Sequence, residues 1–555
     1  MRRRVLGASV ALIALALTGC ASIPSAGPVQ AGDPVPADNA PDVDILVPGP
    51  VAGQSQPEIL DGFIDAALSP RNNYQVAREY LTDSFADEWA ADAGATIDVL
   101  ADRDLVLVDE TMMRVNATPA ASLGTNGQYE EPDSQTPIPL EYRFEQVDGE
   151  WRISSAPPGI LIDEVGFTQV FDDYTVFFFD PTFRYLVPDV RWYAMRETAQ
   201  TSMVQAMLAG AATWLAPGVV SAFPDGVRLE PAAVPVSGGV AGVSLTGAAF
   251  DDLATVQRMQ EQLDASLIGV RGIRSVDLSV NGVEPDVPSD VEPAIRNARV
   301  DPRSVVFDGE VFGHLATTGE SIEPVPGISE QVASLAPTGA ALGADAAAVR
   351  NATGVWIVNA GDDAVPLDPR DGLIAPAIDG QGVVWSVPAN APDQLAWYAP
   401  DGSSGQVAVP WSGSGIAAIE VSRDSTRMVV LLADGVRTHF VAASIQRDED
   451  GRPALLGPVP LRLDDVSGTP LDVAWLDSRT VASLTALPDG TTRIITQELG
   501  GFASQRDGPA GAVQIDGGND DLRALTSTGE LNIRSGVGWQ VRATGIRFLA
   551  AQQPG

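Results

Sequence analysis

Few residues in this chain could carry covalent or acid–base chemistry. Cys20 is the single thiol in 555 residues, and it follows Leu17-Thr18-Gly19 directly. Thr18 and Gly19 are the small residues a signal peptidase needs, so Cys20 stands where a mature chain would begin. His314 and His439 are the two histidines, too few for a zinc site built on several imidazoles. Their strand-like surroundings make them ordinary structural residues rather than a catalytic pair. All 34 basic residues are arginine, which argues against P-loop NTPases and against lysine Schiff-base or PLP enzymes. No Gly-x-Ser-x-Gly elbow occurs. Asp448-Glu449-Asp450-Gly451 and the run from Asp516 to Asp521 share parts of calcium loops but lack the closing glutamate, and are read as solvated turns. A carboxylate pair for glycoside hydrolysis is compatible with 73 acidic residues, although sequence does not give their separation. Trp192, Trp214, Trp385, Trp397, Trp411 and Trp539 are read first as sheet packing and second as a partner or glycan surface. No catalytic residue, metal or cofactor is expected.

Around the thiol, Arg2, Arg3 and Arg4 precede an apolar run from Val5 to Leu17, too short to span a bilayer and suited to a secretory signal. Residues 1–19 are thus expected to be a lipoprotein signal peptide, and Leu17 to Cys20 resembles a bacterial lipobox. Acyl chains on Cys20 would hold the protein almost permanently on a membrane, at about 0.8 kcal/mol per buried CH₂. Residues 20–56, rich in Pro, Ala, Gly and Asp, cannot bury enough apolar surface to fold and are expected to form a tether. The formal charge of −39 excludes nucleic acid as a partner and disfavours lying flat on an anionic membrane.

Three folded regions are expected beyond the tether. In 57–163, Ile59, Phe63, Ile64, Ala67 and Leu68 recur at helical spacing, as do Tyr74, Ala77, Leu81 and Phe85 after Ser69-Pro70. Short alternating strands follow, with a hairpin turn at Asp148-Gly149. This α+β unit looks like a cone-shaped NTF2-like domain. In 166–285 the order is strand, strand, helix from Thr198 to Gly210, strands, helix from Asp251 to Leu267, and strand. Leu253, Val256, Met259, Leu263 and Leu267 form the apolar face of that last helix. From 300 to 555 the pattern is strands and glycine turns. Asp379, Asp424, Asp477 and Asp516 each sit in a turn between two apolar strands, at steps of about 40 to 50 residues, which matches a β-propeller of roughly six blades. The fold class is therefore multidomain: two α+β domains followed by an all-β propeller.

The segments "MLAGAATWLAPGVVSAFPDGVRL", "GVAGVSLTGAAF", "MQEQLDASL" and "VRGIRSVDLSVNG" resemble those of a GerMN domain, a contact module of spore-germination lipoproteins. Together with "CASIP", the tether, "AREYLT" and the propeller rhythm, they make the chain resemble the LpqB lipoproteins of actinobacteria. That resemblance implies a non-enzymatic lipoprotein, anchored to the cell membrane on its extracytoplasmic face. Its implied partner is the extracytoplasmic region of the MtrB sensor histidine kinase of the MtrA/MtrB two-component system, with effects on envelope homeostasis and division. The membrane, through the lipid anchor, and cell-wall components are the further expected partners. The alternative reading is an envelope glycan-binding protein or hydrolase with a pocket in the propeller. A convergent cluster of carboxylates, one with a raised pKa, would favour it.

Overall fold

The first helix starts where its capping chemistry dictates. Ser55 and Glu58 form a capping box, and Gln56–Asp65 buries Ile59, Leu60, Phe63 and Ile64. The second expected helix is broken in two, Arg71–Arg78 and Asp83–Glu88. Asn72, Asn73 and Tyr74 have left-handed backbone angles, Leu81 bridges to Ile153, and Thr82 opens the second piece by accepting the amide N–H of Phe85. These helices cover two four-stranded sheets. Asp148 and Gly149, both at positive φ (53° and 85°), make the two-residue turn between Ile138–Val147 and Glu150–Ser155. The structure, a computed structural model, describes residues 47–554 apart from 133, 197, 248–251, 286–291, 435–436, 465 and 537.

A long hairpin links this region to the rest. Strands Phe171–Phe179 and Leu186–Ala194 pair without a break from Ala194↔Phe171 to Leu186↔Phe179. One end of the hairpin, with Phe171, Val190, Trp192 and Ala194, is buried in the first core. The other end, with Val176 to Phe179 and Leu186, is buried in the core of the second α+β unit. Val187 belongs to a third core, shared with propeller residues Phe440, Trp475 and Ile495. In the second unit, helices Ala199–Ala209 and Leu253–Leu267 pack on the hairpin beside a sheet centred on Val240–Thr246. Leu253, expected on the buried face, is 59% exposed: it starts the helix, before the packed face begins at Val256.

The hairpin also carries a buried ion pair. Arg191 donates to both carboxylate oxygens of Asp189 (3.0 and 2.6 Å) and to the carbonyls of Asn126 (3.0 Å) and Gly210 (3.4 Å). Asp189 also accepts the amide N–H of Ala212 at 2.7 Å. One charged pair thus joins the first region, the hairpin and the loop after Ala209. Both side chains are almost fully buried, so their hydrogen bonds offset the desolvation cost.

The described residues from Val305 onward form six blades around an axis. The innermost strands are Gly339–Leu342, Ala377–Ile378, Gly415–Val421, Thr469–Trp475, Ala512–Gly518 and Phe548–Gln552. The last of these closes the ring. It pairs antiparallel with Val305–Phe307 and parallel with Gly339–Leu342, so the first blade takes its inner strand from the C-terminal end of the chain. That pairing joins the first and second blades through their inner strands and closes the ring.

Replacing Arg191 by Leu strands the Asp189 carboxylate in the interior. The expected cost is about 3–5 kcal/mol, read as a lowered unfolding midpoint in denaturant; a change near zero would show that the pair carries no structural weight.

Candidate functional site

Cys20 and its neighbours Leu17, Thr18 and Gly19 lie outside the described residues, as does the tether up to residue 46. The described side chains that converge are elsewhere, at the propeller axis. Glu420 accepts the backbone N–H of Trp475 at 3.1 Å, Asp472 that of Ile515 at 3.0 Å, and Gln514 that of Leu549 at 3.1 Å. At three successive seams, then, a polar side chain on one inner strand hydrogen-bonds the backbone of the next. The chain closes this arrangement with Gln553, which donates to the carbonyl of Val421 at 2.9 Å.

The electrostatics follow from burial. Desolvation, then the nearby Asp516 and Asp472, push the Glu420 carboxyl well above the usual carboxylate range. Asp472 keeps some exposed surface yet lies deep among protein atoms, and burial pushes it up to about 7. Burial also raises Asp516, against the pull of Arg523, which pairs with it at 3.0 Å. Arg423 lies beside this group and donates to the carbonyls of Ala298 (3.3 Å) and Leu476 (3.4 Å). Burial lowers its guanidinium, while Glu420 and Asp516 oppose that effect.

The repeated aspartates have structural partners. Asp379 accepts the N–H groups of Gln381 and Val383 (2.9 and 3.0 Å), the indole of Trp385 (3.2 Å) and, from the next blade, Arg447 (2.5 Å). Asp424 accepts Ser422, Thr426 and Arg427; burial alone would raise its carboxyl, and these partners hold it below the usual range. Asp477 accepts the N–H groups of Arg479 and Thr480. Asp516, expected in a solvated turn, instead lies within the strand Ala512–Gly518 and is buried; the turn is made by the residues after Gly518. The stretch Asp448 to Asp450 is exposed as expected.

His314 and His439 occupy different blades, in strands Phe312–Leu315 and Arg437–Arg447. Trp385 and Trp397 are core residues of the third blade, and Trp411 and Trp539 are partly buried against neighbouring cores. Trp192 and Trp214 seal domain contacts. Trp192 donates to the carbonyl of Gly500 at 2.9 Å, and its ring meets Phe502 at 5.2 Å, Phe167 at 5.3 Å and Tyr129 at 6.2 Å. Trp214 packs in the core shared with the fourth and fifth blades. Gly218 approaches the fourth blade so closely that a β-carbon there would lie 2.9 Å from the carbonyl oxygen of Thr426.

The segment before the propeller lies against the axial group. The backbone of Val300 is held by both amide atoms of Asn519, Pro302 accepts from Arg523, and Ala298 from Arg423. A cleft of about 240 Å³ opens elsewhere, between the fifth and sixth blades, lined by Leu476, Thr496, Arg506, Asp520, Leu522 and Arg534. The axial carboxylates do not line it. Among the described residues no group of three or more His, Cys, Asp or Glu is placed to hold a metal ion.

A carboxyl raised to about 7 binds its proton more tightly in the folded than in the unfolded chain. Asp472 therefore lowers stability as pH rises from about 4 to about 7. In Asp472→Asn that contribution is absent. The midpoint of the variant relative to the wild type should rise between pH 4.5 and 7.5, and a difference independent of pH would contradict the assignment.

The description "Lipoprotein LpqB, N-terminal domain" matches residues 49–168, "Sporulation and spore germination" matches 175–286, and "Lipoprotein LpqB beta-propeller domain" matches 313–547. Among curated relatives, the Lipoprotein LpqB of Mycobacterium ulcerans is 28% identical over 563 residues, covering 92% of this chain and 89% of its own. That of Cutibacterium acnes is 26% identical over 511 residues, covering 86% and 84%. Among solved structures, a nidogen/laminin complex aligns with a TM-score of 0.31 at 10% identity, over 45% of this chain and 95% of its own. A streptogramin B lyase aligns at 0.28 with 14% identity, over 44% and 85%. At these scores neither structural likeness bears on function. With LpqB domains matched on both sides of a spore-germination module, and relatives of that name aligned along more than four-fifths of its length, the chain belongs to the LpqB family of lipoproteins.

Proposed function

We propose that this lipoprotein is anchored through Cys20 on the extracytoplasmic face of the cell membrane and binds the sensor region of the MtrB histidine kinase, modulating its signalling and through it envelope homeostasis and division. The observation that carries a binding role is the use made of the charged groups. Glu420, Asp472 and Asp516 spend oxygens on the backbone of the next blade or on Arg523, and the aspartates of the turns spend theirs on N–H groups and arginines. Polar groups committed in this way rigidify a body whose outer surfaces can then serve for contact. No helix among the described residues is long and apolar enough to cross a membrane, which is compatible with attachment by lipid.

Contact with a kinase in the same membrane needs little affinity. Tethering raises the effective concentration to about the millimolar range, so a weak interface is occupied. The kinase responds only if the lipoprotein binds one of its states more tightly than the other.

The raised carboxylates at the axis favour a second reading, a glycan-binding or hydrolytic propeller. It requires a free face at the axis, whereas residues 298–302 already hydrogen-bond to Arg423, Asn519 and Arg523 beside those carboxylates.

The test uses the soluble chain from Ala21 onward and the purified extracytoplasmic region of the kinase. Saturable binding is expected, together with a changed autophosphorylation rate when the acylated protein and full-length kinase share a vesicle. Absence of binding up to the effective concentration of a shared membrane, about 1 mM, would overturn the kinase reading.

A further inference from the structure

Among the described residues, the first α+β region has a sheet edge with no strand paired to it. The order in that sheet is Asp104–Asp109, Met112–Ala117, Ile138–Val147, Glu150–Ser155. At the Glu150–Ser155 edge, Ile153 exchanges backbone hydrogen bonds with Tyr80 and Thr82, both 2.9 Å. At the other edge, Asp104–Asp109 has a strand on one side only. Leu105 and Leu107 stand opposite Val115 and Met113, which are buried in the core. Leu107 therefore extends the core face past its last covered strand, and it is 60% exposed, with Val108 at 39% and Leu100 at 59% nearby in sequence. Natural sheets avoid apolar edges of this kind or use them to add a strand from elsewhere.

Charge says which strand fits. Asp102, Asp104, Asp109 and Glu110 are exposed and bracket the apolar run. A second copy of the chain, pairing antiparallel, would set Asp104 against Asp109, like charge on like charge. The tether between 21 and 46 carries Asp33, Asp38, Asp42 and Asp44 and no arginine, so it too would be repelled. An occupant needs apolar residues at alternate positions and positive charge at its ends.

We propose that Asp104–Asp109 is a docking edge for an extended segment of a partner protein that alternates apolar residues and carries arginine or lysine at both ends. Such a segment continues the sheet, covers Leu105 and Leu107, and places its basic ends against the acidic flanks. This deepens the reading that the protein works by contact, since it names the surface.

The test titrates the soluble chain from Ala21 with a short blocked peptide alternating valine and threonine, with arginine at each end. Saturable binding is expected, weakened about tenfold by glutamate in place of the terminal arginines or by Leu107→Lys, and weakened further by salt. Hydrogen exchange on the wild-type chain supplies a readout that does not depend on the variant folding: amides of Asp104–Asp109 should slow when peptide is added. Equal binding of the glutamate-ended peptide, or no slowing at those amides, would overturn the proposal. So would tighter peptide binding once residues 21–46 are deleted, which would assign the edge to the tether, or a dimer that Leu107→Lys dissolves. The same variant, mixed with the kinase region, separates the two claims. Binding retained in Leu107→Lys overturns the edge and leaves the kinase reading intact. Binding lost from the wild type as well overturns the kinase reading, and the peptide result still judges the edge.

Discussion

The structure depends on one hairpin being long enough to enter three cores. Phe171–Phe179 and Leu186–Ala194 bury one end with the first region and the other with the second, while Val187 lies in the propeller core. At the first-core end of the hairpin, Tyr129, Phe167, Trp192 and the propeller's Phe502 bring their rings within 5.0 to 6.4 Å of one another. Each such pair contributes about 0.5–1.5 kcal/mol beyond its buried area, and the cluster ties the first core to the propeller through Phe502. Polar ties reinforce the junction: Trp192 to Gly500, Arg479 to Thr175, and Gln497 to Glu131. A body joined in this way resists relative rotation of its parts.

The propeller shows the same logic on a smaller scale. Six blades held only by apolar packing could slide along their seams, because dispersion has little directional preference. Glu420, Asp472 and Gln514 fix the register from blade to blade through single hydrogen bonds to backbone. Raised carboxyl pKa values are the cost of putting acids there, and they have a structural origin in burial. Arg427 adds to the seam between the fourth and fifth blades by stacking over Trp475, 4.9 Å from the ring centroid, while pairing with Asp424.

Much of this was legible in the residues, for reasons that can be named. Apolar runs in "TVFFF" and "VRWYAM" mark the hairpin, and the strand–Asp–strand rhythm marks blades because each blade repeats one supersecondary unit. Phe502 was invisible, since it lies in the Gly-Gly-Phe loop and its packing is set by a partner more than 300 residues away in sequence. Asp516 misled because Gly517-Gly518-Asn519-Asp520 has turn chemistry, while the burial of its first residue depends on the neighbouring blade. The break within Tyr74–Phe85 was hidden for a similar reason: the helical spacing continues, but Thr82 hydrogen-bonds to Ile153 and so ties the chain to a strand. The carboxylates at the axis went unread because alternation shows that a side chain faces inward and does not show what it meets there.

On the proposed reading, a lipid on Cys20 would keep the protein within reach of the membrane, while the shared hairpin holds the surfaces of its domains in fixed positions relative to one another. Calorimetry of the soluble chain from Ala21 tests the premise most directly. One cooperative unfolding transition, with calorimetric and van't Hoff enthalpies in agreement, is the predicted result for domains that share the hairpin. Separate transitions for the first region and the propeller would contradict it, because regions that melt apart are not held by a common core.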